Sequence, residues 1–488
     1  MAQEEVESAV PTWRELFAGG LARTTLGLLL MEGLVAVQVL VTVAVLPAVV
    51  SDLGGVRLYG PALSASQVAT VIVLPFTPRL VMRWGLRGAF YVSLGAFVAG
   101  SLVVITAPQA WVFVAGLVIQ GAGAGAQYAL LLAVFTRRYP LRLRPRMYAA
   151  LAVAWAVPGL LGPAYAGAVA STLGWRWAFA LILPLVVPAV WMLNPSLTEP
   201  RSRDDQPSEV SSATTPVLVV FAASMLALLA ALTASGRVGV LLVLPMAIVA
   251  VAALTRILPG GTFVARRGLP AVIASGFLAN AAFYSVEGFL PAYLTRVAGL
   301  TLTVAALVVT CGVLSWTVGT WAQSWLANRW TIARIASFGE ALMLLGVGGV
   351  IAGVGFGVAI VVYVAWALAA LGMGMTYPAI GVLATDMASS GDEVTTLAQY
   401  QLGDVLGSAF GPALVGIAVT ATASRSVDLQ DGLLLGFSAT CVLVLAALFV
   451  STRLPATSST RAAPQPPPIG RSDRDPFSRP TDARHESR

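Results

Sequence analysis

The stretch AVPGLLGPAYAG, residues 156–167, lies inside a long apolar segment and contains two prolines and three glycines. Within a soluble helix, a proline costs about 3 kcal/mol and a glycine about 1 kcal/mol. Membrane helices tolerate both, because neighbouring helices satisfy the freed backbone groups and small residues allow close packing. Only glycine, alanine and proline occupy one face of this helix, at positions 159, 162, 163, 166, 167 and 170. The stretch therefore predicts a membrane-spanning helix that is kinked and has a narrow seam against another helix.

The composition of the whole chain is that of a membrane protein with many spans. Of its 488 residues, 58% are hydrophobic and only 10% are charged, and the mean hydropathy is +0.84. Soluble globular proteins of this length do not have such a composition. We therefore expect an all-α polytopic membrane protein that is embedded in the lipid bilayer.

Residue usage excludes several kinds of chemistry. All 29 basic residues are arginine, so the chain cannot form the lysine-dependent loop GxxxxGK[ST] of a nucleotide-driven pump. The only histidine is His485, and Cys311 and Cys441 lie in separate apolar segments. We expect no cofactor, no metal site and no disulfide. The net charge of +7 comes from arginines in short loops and a tail, which indicates membrane topology rather than nucleic-acid binding.

Apolar runs of spanning length recur along most of the chain and predict fourteen transmembrane helices. They are residues 24–50, 59–82, 88–107, 110–135, 147–170, 176–193, 216–235, 238–257, 270–295, 301–327, 332–353, 355–385, 394–421 and 432–452. The weakest break is Gly236-Arg237, between the seventh and eighth runs.

The distribution of arginine predicts the orientation. With the N-terminus inside, the inner loops and adjoining helix ends contain fifteen arginines, and the outer connections contain five. Because positive charge favours the cytoplasmic side, we expect both termini in the cytoplasm. An arginine-only set of basic residues is typical of a high-GC bacterium, so the expected location is the cell (inner) membrane.

Three short matches reveal an internal repeat. The segment beginning at Leu46, LPAVVSDLGG, resembles LPAYLTRVAG from Leu290, at an offset of 244 residues. GAGAQY resembles GMGMTY, and GPAYAGAVA resembles GPALVGIAV, both at an offset of 249. The repeat predicts two parallel six-helix halves with two inserted linker helices, and such halves are typical of a transporter whose substrate site lies between them.

These boundaries predict seven segments. They are a cytoplasmic N-terminal segment (1–23), a first transport half (24–193), a cytoplasmic loop (194–215), two inserted helices (216–257), a second cytoplasmic loop (258–269), a second transport half (270–452) and a disordered, proline-rich cytoplasmic tail (453–488).

The span 24–452 resembles the major facilitator superfamily, and specifically its fourteen-helix drug:proton antiporter branch. The opening stretch is similar to that branch's antiporter signature, GxxxGPxxGG: Gly162, Pro163 and Gly167 fall in register, Ala166 replaces a glycine, and Gly159 lies one position after the signature's first glycine. The resemblance implies gating and close helix packing for one set of residues: Pro158, Gly159, Gly162, Pro163, Gly167 and, in the second half, Gly411 and Pro412.

Other motifs of the family are incomplete in this chain. In the loop between the second and third helices, Arg83, Gly85 and Arg87 fit, but Met82 replaces the family's aspartate. In the fourth helix, Gln120 fits, but Leu117 replaces an arginine. An aspartate that the family carries in the first helix is Gln38 here. Two of these missing residues belong to the family's charged machinery for gating and proton coupling, so the resemblance does not decide whether transport by this chain is proton-coupled.

Proton-coupled transport needs protonatable groups inside the membrane, and without an intramembrane histidine these must be carboxylates. Glu32, Asp404 and Glu287 are the candidates for proton coupling or substrate binding. Glu340, six residues after Arg334, is expected to form a cytoplasmic-side ion pair instead. Uncharged side chains that could line a polar or aromatic cavity are Gln38, Gln120, Gln127, Tyr128 and Tyr377.

The sequence leaves two transport functions open. One is proton-coupled, multidrug-type efflux of amphipathic or hydrophobic small molecules by alternating access, which would confer drug resistance. The other is export of one endogenous metabolite or lipid, for which proton coupling is not required. A membrane enzyme is disfavoured because the arginine-rich inner loops contain no histidine, and a channel is disfavoured because no filter-like segment is present. The substrate and the oligomeric state are not determined, and a monomer is compatible with the pattern.

Overall fold

A computed structural model describes residues 12–53, 59–198, 214–233, 237–388, 392–423 and 429–455. All of them belong to one structural unit, residues 10–459. Across these ranges the regular structure is helical. The predicted loop 194–215, the break at Gly236 and the tail 453–488 lie largely outside the described residues.

The α-helices are numbered here in chain order. They are α1 (Trp13–Leu16), α2 (Gly19–Leu53), α3 (Tyr59–Val73), α4 (Thr77–Thr106), α5 (Ala110–Arg138), α6 (Arg144–Thr172), α7 (Trp175–Ala180), α8 (Val186–Leu197), α9 (Thr215–Thr233), α10 (Arg237–Ile257), α11 (Leu269–Glu287), α12 (Leu290–Arg296), α13 (Leu302–Leu326), α14 (Ile332–Phe356), α15 (Ala359–Met387), α16 (Glu393–Ala423) and α17 (Leu429–Ser451).

The all-helical membrane fold is confirmed, whereas the number of spans is not. By length and apolar composition, nine helices of the described ranges can cross a membrane, or ten if the bent pair 141–162 and 165–172 is one span. One reason for the lower number is that the predicted second and third spans form one run of 43 residues, Ser64–Thr106. The predicted inserted pair coincides with two shorter apolar helices, Thr215–Leu228 and Leu242–Ile257.

Gly85 marks the point where the predicted loop between the second and third spans becomes a kink. Its φ of 68° and ψ of 174° interrupt the helical geometry of α4. A positive φ is readily adopted only by glycine, because a Cβ would clash with the backbone. The positive φ therefore explains why position 85 of the predicted loop motif is a glycine. Arg83 and Arg87 lie on either side of it, on the surface.

Packing among the helices follows the same pattern in both parts of the chain. In the first part, α2 packs on α6 and α8, α4 packs on α5, and α3 packs on α5. In the second part, α11 packs on α16 and α17, α14 packs on α15, and α13 packs on α15. The two parts meet where α6 contacts α13 and α5 contacts α16.

The pair α9 and α10 packs together, and α9 also contacts α3. Apolar side chains of this pair join a separate buried cluster with α3 and α16, in which Phe221 and Leu402 are fully buried. Gln399 of α16 donates from Nε2 to the backbone oxygen of Ile257 at 2.7 Å. The pair therefore covers one side of the line along which α3 and α16 meet.

The close backbone seam predicted for the α6 glycines is not present at the described positions. A Cβ added at Gly159 would lie 3.5 Å from the side chain of Val313, one at Gly162 would lie 3.5 Å from Leu40, and one at Gly167 would have no atom within 4 Å. These are ordinary van der Waals distances or open space. A gating role for these glycines stays a prediction.

The equivalent glycine in the second half does touch backbone. A Cβ at Gly411 would lie 1.9 Å from the backbone oxygen of Ala281 in α11. Helices α11 and α16 can therefore approach this closely only because position 411 has no side chain. Similar approaches bring Gly374 to the Trp316 backbone and Gly121 to the Ser66 backbone.

We expect Gly411→Ala to destabilise the protein, by about 1–3 kcal/mol, because overpacking forces the helices apart. Gly162→Ala, at the equivalent repeat position, is the matched control and is expected to change stability little. Thermal unfolding of both variants in detergent measures the difference. Equal melting temperatures for the two variants would contradict this assignment.

Candidate functional site

One cavity, with a volume of about 360 Å³, collects most of the predicted site residues. Its described lining comes from five helices of the first part of the chain, α2, α3, α4 (Phe97 alone), α5 and α6, and from four of the second part, α11, α13, α15 and α16. Seven of the eight predicted coupling or binding residues line it: Glu32, Gln38, Gln120, Tyr128, Glu287, Tyr377 and Asp404. The sequence prediction thus converges on one place in the fold.

Gln127 is the eighth residue, and it does not line the cavity. Its side chain is fully buried, and neither amide atom has a hydrogen-bond partner among the described residues. Cavity-lining residues of α5 follow a helical repeat through Gln120, Ala124 and Tyr128. Gln127 comes directly before Tyr128, and at 3.6 residues per turn its side chain is rotated by about 100° from that of Tyr128.

The three carboxylates have different surroundings. Glu32 of α2 is 4% exposed and accepts a hydrogen bond from Trp155 Nε1 at 3.3 Å. Asp404 of α16 is 6% exposed and accepts one from Asn280 Nδ2. Glu287, at the end of α11, is half-buried. The cavity therefore has two buried acids, one on α2 and one on α16, and a third, less enclosed acid on α11.

Basic side chains are absent from the described lining of this cavity. Carboxylates that lack a cation in a poorly hydrated site are expensive to ionise, and such residues in membrane helices commonly bind protons or cationic groups. The arrangement can thus bind either a proton or a positively charged group of a small molecule.

Aromatic rings form much of the remaining wall. Tyr128 Oη lies 3.2 Å from Tyr377 Oη, so the two tyrosines at equivalent repeat positions meet. The Trp316 ring lies 5.5 Å from that of Tyr377 and 5.0 Å from that of Phe283. Sequence reasoning identified neither these two rings nor Asn280, because aromatic and amide residues are common in membrane helices and no motif distinguishes them.

Gln38 and Gln120 differ in how far their hydrogen bonds are satisfied. Gln120 Nε2 donates to Ser101 Oγ at 2.9 Å. Gln38 is 2% exposed, and neither of its amide atoms has a partner among the described residues. An unsatisfied buried amide in a cavity wall is available to a polar group of a ligand.

Two ion pairs among the described residues connect the first and second parts of the chain at the predicted cytoplasmic end. Arg144 Nη1 lies 2.7 Å from Asp386 Oδ1, and Arg137 Nη2 lies 3.1 Å from Glu393 Oε2. Arg144 Nη2 also donates to the backbone oxygen of Thr136 at 2.9 Å. These pairs fasten α5 and α6 to α15 and α16 on that side.

The ion pairs follow the internal repeat. An offset of 249 residues relates Arg137 to Asp386 and Arg144 to Glu393. Each arginine thus pairs with the acid that is equivalent to the other arginine. This crosswise pairing is expected if a two-fold axis relates the two parts of the chain, because every contact then has a symmetry-related counterpart. In the sequence these arginines indicate topology, and the offset of 249 residues is the signal that points to their acidic partners.

Glu340, Arg83 and Arg87 are predicted to lie near the cytoplasmic side, and the structure shows their contacts. Glu340 does not pair with Arg334, whose guanidinium lies 4.8 Å from the centre of the Trp330 ring. Six residues of helix rotate the two side chains to different faces, since only residues three or four apart are neighbours. Arg83 and Arg87 lie outside the cavity lining, against the rings of Trp84 and Tyr91.

Comparison with known proteins adds to this geometry. A profile of the Major Facilitator Superfamily matches residues 28–412. A Mycobacterium tuberculosis protein named "probable multidrug-efflux transporter" is 27% identical over 497 residues, covering 94% of this chain and 100% of that protein. A dehydrocurvularin exporter of Alternaria cinerariae is 27% identical over 171 residues, covering 34% of this chain and 29% of the exporter.

Solved structures resemble the fold at lower identity. The human organic anion transporter TETRAN gives a TM-score of 0.63 at 17% identity, covering 88% of this chain and 98% of that one. The proton:xylose symporter XylE gives 0.62 at 15% identity, covering 90% and 96%. At these identities the likeness concerns the fold alone.

Proposed function

Because this chain belongs to the major facilitator superfamily, we propose that it is a secondary active transporter that exports amphipathic or hydrophobic small molecules in exchange for protons. Members of this superfamily move small molecules and are generally not enzymes. The observation that carries the proposal is a cavity between helices of both parts of the chain, which contains Glu32, Glu287 and Asp404 and has no basic side chain in its described lining.

The chemistry of this cavity supports the exchange of a substrate for a proton. Its aromatic and aliphatic wall favours the apolar part of a ligand, while a few polar groups orient it. A cationic amphipathic molecule would be attracted to an ionised carboxylate, and a proton would compete for the same oxygen atoms. Binding of one therefore releases the other, and this competition is the simplest form of antiport.

The similarity to the mycobacterial protein supports the choice of substrate class. The two chains match over 94% of this one and the whole of the other, so the resemblance includes the cavity helices of both halves. Multidrug-type efflux, with drug resistance as its consequence, is therefore the substrate range that we propose.

The repeated packing supports alternating access between two six-helix halves. The contacts of α2 with α6 and of α4 with α5 have counterparts in α11 with α16 and α14 with α15. The ion pairs of Arg144 and Arg137 join α5 and α6 to α15 and α16 in this conformation, and we infer that they hold the cytoplasmic ends of the two halves together. We propose that they separate when the cavity opens to the cytoplasm.

The finer topology belongs to the same proposal. Fourteen helices, with α9 and α10 as an inserted pair, remain our interpretation of the apolar pattern. So do the cytoplasmic location of both termini, the cell membrane as the site of action and the drug:proton antiporter branch. Their support is the arginine distribution and the antiporter-like stretch from Pro158 to Gly167.

A dedicated metabolite exporter is the second candidate. The local similarity to the dehydrocurvularin exporter favours it, as do Met82 and Leu117 at positions where the family carries charge. Export of one endogenous product would need neither a broad substrate range nor proton coupling.

Efflux from proteoliposomes tests the proposal. The purified protein is reconstituted, a pH gradient is imposed, and transport of a fluorescent lipophilic cation is followed against its concentration gradient. We expect uphill transport with the gradient and none after the gradient is collapsed by an ionophore. If the rate of cation transport does not depend on the imposed pH gradient, proton antiport is excluded and the dedicated exporter is favoured.

A further inference from the structure

Both buried acids of the cavity accept a hydrogen bond from a neutral N–H donor on a neighbouring helix. In the first part of the chain, Trp155 Nε1 of α6 donates to Glu32 Oε2 of α2 at 3.3 Å. In the second part, Asn280 Nδ2 of α11 donates to Asp404 Oδ1 of α16. All four residues line the cavity. Each acid therefore has a neutral partner in the same part of the cavity wall.

The internal repeat relates these two contacts. An offset of 249 residues, which the repeat has on both sides of this position, relates Trp155 to Asp404. The offset of 244 residues relates Glu32 to Gly276, and a Cβ added at Gly276 would lie 4.0 Å from Asp404 Oδ1. Asn280 is one turn further along the same helix. The two contacts are thus equivalent in the repeat, but the acid and its donor have exchanged helices.

Within the described lining of the cavity, the partners of these acids are neutral groups rather than cations. In the described part of the chain, Glu32 accepts its hydrogen bond from Trp155 alone, and Asp404 has a second neutral neighbour in the hydroxyl group of Tyr377. Hydrogen bonds to an ionised carboxylate stabilise it. Because the indole and the amide are neutral, they stabilise the anion without cancelling its charge. That charge stays available to a proton or to a cationic group of a substrate.

Each of the two contacts lies within one part of the chain, where α2 packs on α6 and α11 packs on α16. The ion pairs of Arg144 and Arg137, in contrast, join helices of different parts. In the alternating access proposed above, the ion pairs break when the halves separate, whereas each acid moves together with its donor. A donor within the same half can therefore hold its acid towards the cavity in both conformations.

We propose that Trp155 is the positioning residue of Glu32 and that Asn280 is the positioning residue of Asp404. The proposal rests on the proton antiport proposed above. Each N–H group fixes one carboxyl oxygen and stabilises the ionised acid. The acid can then give up its proton and bind a cationic substrate although no basic side chain lies beside it in the described lining. Neither donor takes up or releases a proton itself.

Two tryptophans of the cavity wall, Trp155 and Trp316, allow a matched comparison. The Trp316 ring contacts the rings of Phe283 and Tyr377, and in the described residues its N–H group forms no hydrogen bond with an acid. Phenylalanine at either position keeps an aromatic ring in the wall and removes the N–H group. Only the change at position 155 removes a donor from a carboxyl group.

We expect Trp155→Phe to lower the ratio of uphill to downhill transport about tenfold, the size of effect that one hydrogen bond to a charged group has. Both rates are measured with the lipophilic cation in proteoliposomes, the uphill rate with the pH gradient and the downhill rate after its collapse. Trp316→Phe is expected to leave this ratio unchanged, whatever it does to the affinity for the cation.

Asn280→Leu tests the equivalent contact in the second part of the chain. Leucine has a similar size but cannot donate to Asp404, so we expect the ratio of uphill to downhill transport to fall here as well. Gln120→Leu is the control, because Gln120 lies in the same cavity wall but donates to Ser101 Oγ instead of an acid. We expect Gln120→Leu to leave the ratio unchanged.

Two further measurements separate positioning from a general effect on the structure. In infrared difference spectra, the carboxyl band that disappears in Glu32→Gln belongs to Glu32, and we expect Trp155→Phe to shift it and Trp316→Phe to leave it in place. Maleimide labelling of Gln401→Cys, in the cavity wall, reports opening to the cytoplasm. We expect Trp155→Phe to leave the labelling rate unchanged, because the Trp155 contact does not join the two halves.

An unchanged transport ratio in Trp155→Phe or in Asn280→Leu would overturn the positioning role of that donor, and an unmoved Glu32 band would overturn that of Trp155. An equal fall in a control variant would overturn it as well. Should Trp155→Phe fail to fold, the comparison of Asn280→Leu with Gln120→Leu decides. Absence of uphill transport in the wild type would instead remove the proposed antiport, so the two failures are distinguishable.

Discussion

Glu32→Gln is expected to lower the rate of uphill transport driven by the pH gradient at least tenfold below that of the wild type. Downhill exchange of substrate is expected to persist. Glutamine keeps the shape of the side chain and can still accept the hydrogen bond from Trp155 Nε1, which is the contact recorded for this carboxyl group. It cannot bind and release a proton. The variant therefore removes the coupling step and spares the cavity wall.

The measurement is efflux of the lipophilic cation from proteoliposomes with and without an imposed pH gradient. Asp431→Asn is a suitable control, because Asp431 is an exposed acid in the first turn of α17 and does not line the cavity. Full gradient-driven transport in Glu32→Gln would remove Glu32 as the proton carrier. Asp404→Asn, which keeps an acceptor for Asn280, would then be the next variant to examine.

Arg144→Ala is expected to lower transport at least tenfold and to open the cytoplasmic side. Arg144 and Asp386 have side chains that are only 9% and 12% exposed, and removing one partner of a buried ion pair costs about 3–5 kcal/mol. Since this pair joins the two halves, that free energy shifts the equilibrium towards the conformation in which the halves are apart.

A double variant in which the charges at positions 144 and 386 are exchanged tests whether restoring the ion pair restores transport. Arg144→Asp combined with Asp386→Arg restores opposite charges across the halves, so we expect it to recover part of the transport lost by either single change. Arg83→Ala is the control, because Arg83 lies on the same predicted cytoplasmic side but stacks on Trp84, and among the described residues it forms no ion pair with the second part of the chain.

Labelling measures the conformational part of this prediction. Gln401→Cys, introduced into a protein whose Cys311 and Cys441 have been replaced, places a thiol in the cavity wall. In inside-out vesicles, a membrane-impermeant maleimide should react several-fold faster when Arg144 is alanine. Equal labelling rates in the two backgrounds would show that the ion pair does not hold the cytoplasmic side closed.

Much of the candidate site was predictable because intramembrane charge is rare. Glu32, Glu287 and Asp404 are conspicuous in apolar runs, since an unpaired acid in a membrane helix seldom serves packing alone. All three line one cavity. The internal repeat added Tyr128 and Tyr377, whose hydroxyl groups lie 3.2 Å apart. These predictions used residue type and spacing, which the sequence contains directly.

Other features depended on how each helix is rotated and how deeply it is packed. Gln127 and Gln120 are indistinguishable by residue type, yet only Gln120 faces the cavity. Gly162 and Gly411 are equivalent in the repeat, yet only Gly411 meets the backbone of another helix. Sequence similarity between two positions does not determine the distance to the neighbouring helix.

By itself the sequence determined that this is an all-helical membrane protein with an internal repeat, and which of its helices carry buried acids. Hydropathy and residue spacing are local properties of one chain segment, and they are sufficient for these conclusions. Only the tertiary structure decided that Arg144 and Arg137 pair crosswise with Asp386 and Glu393, and that Glu340 binds Ser275 rather than Arg334. Such contacts join residues far apart in the chain, and they depend on the rotation and separation of helices, which packing of the whole molecule sets.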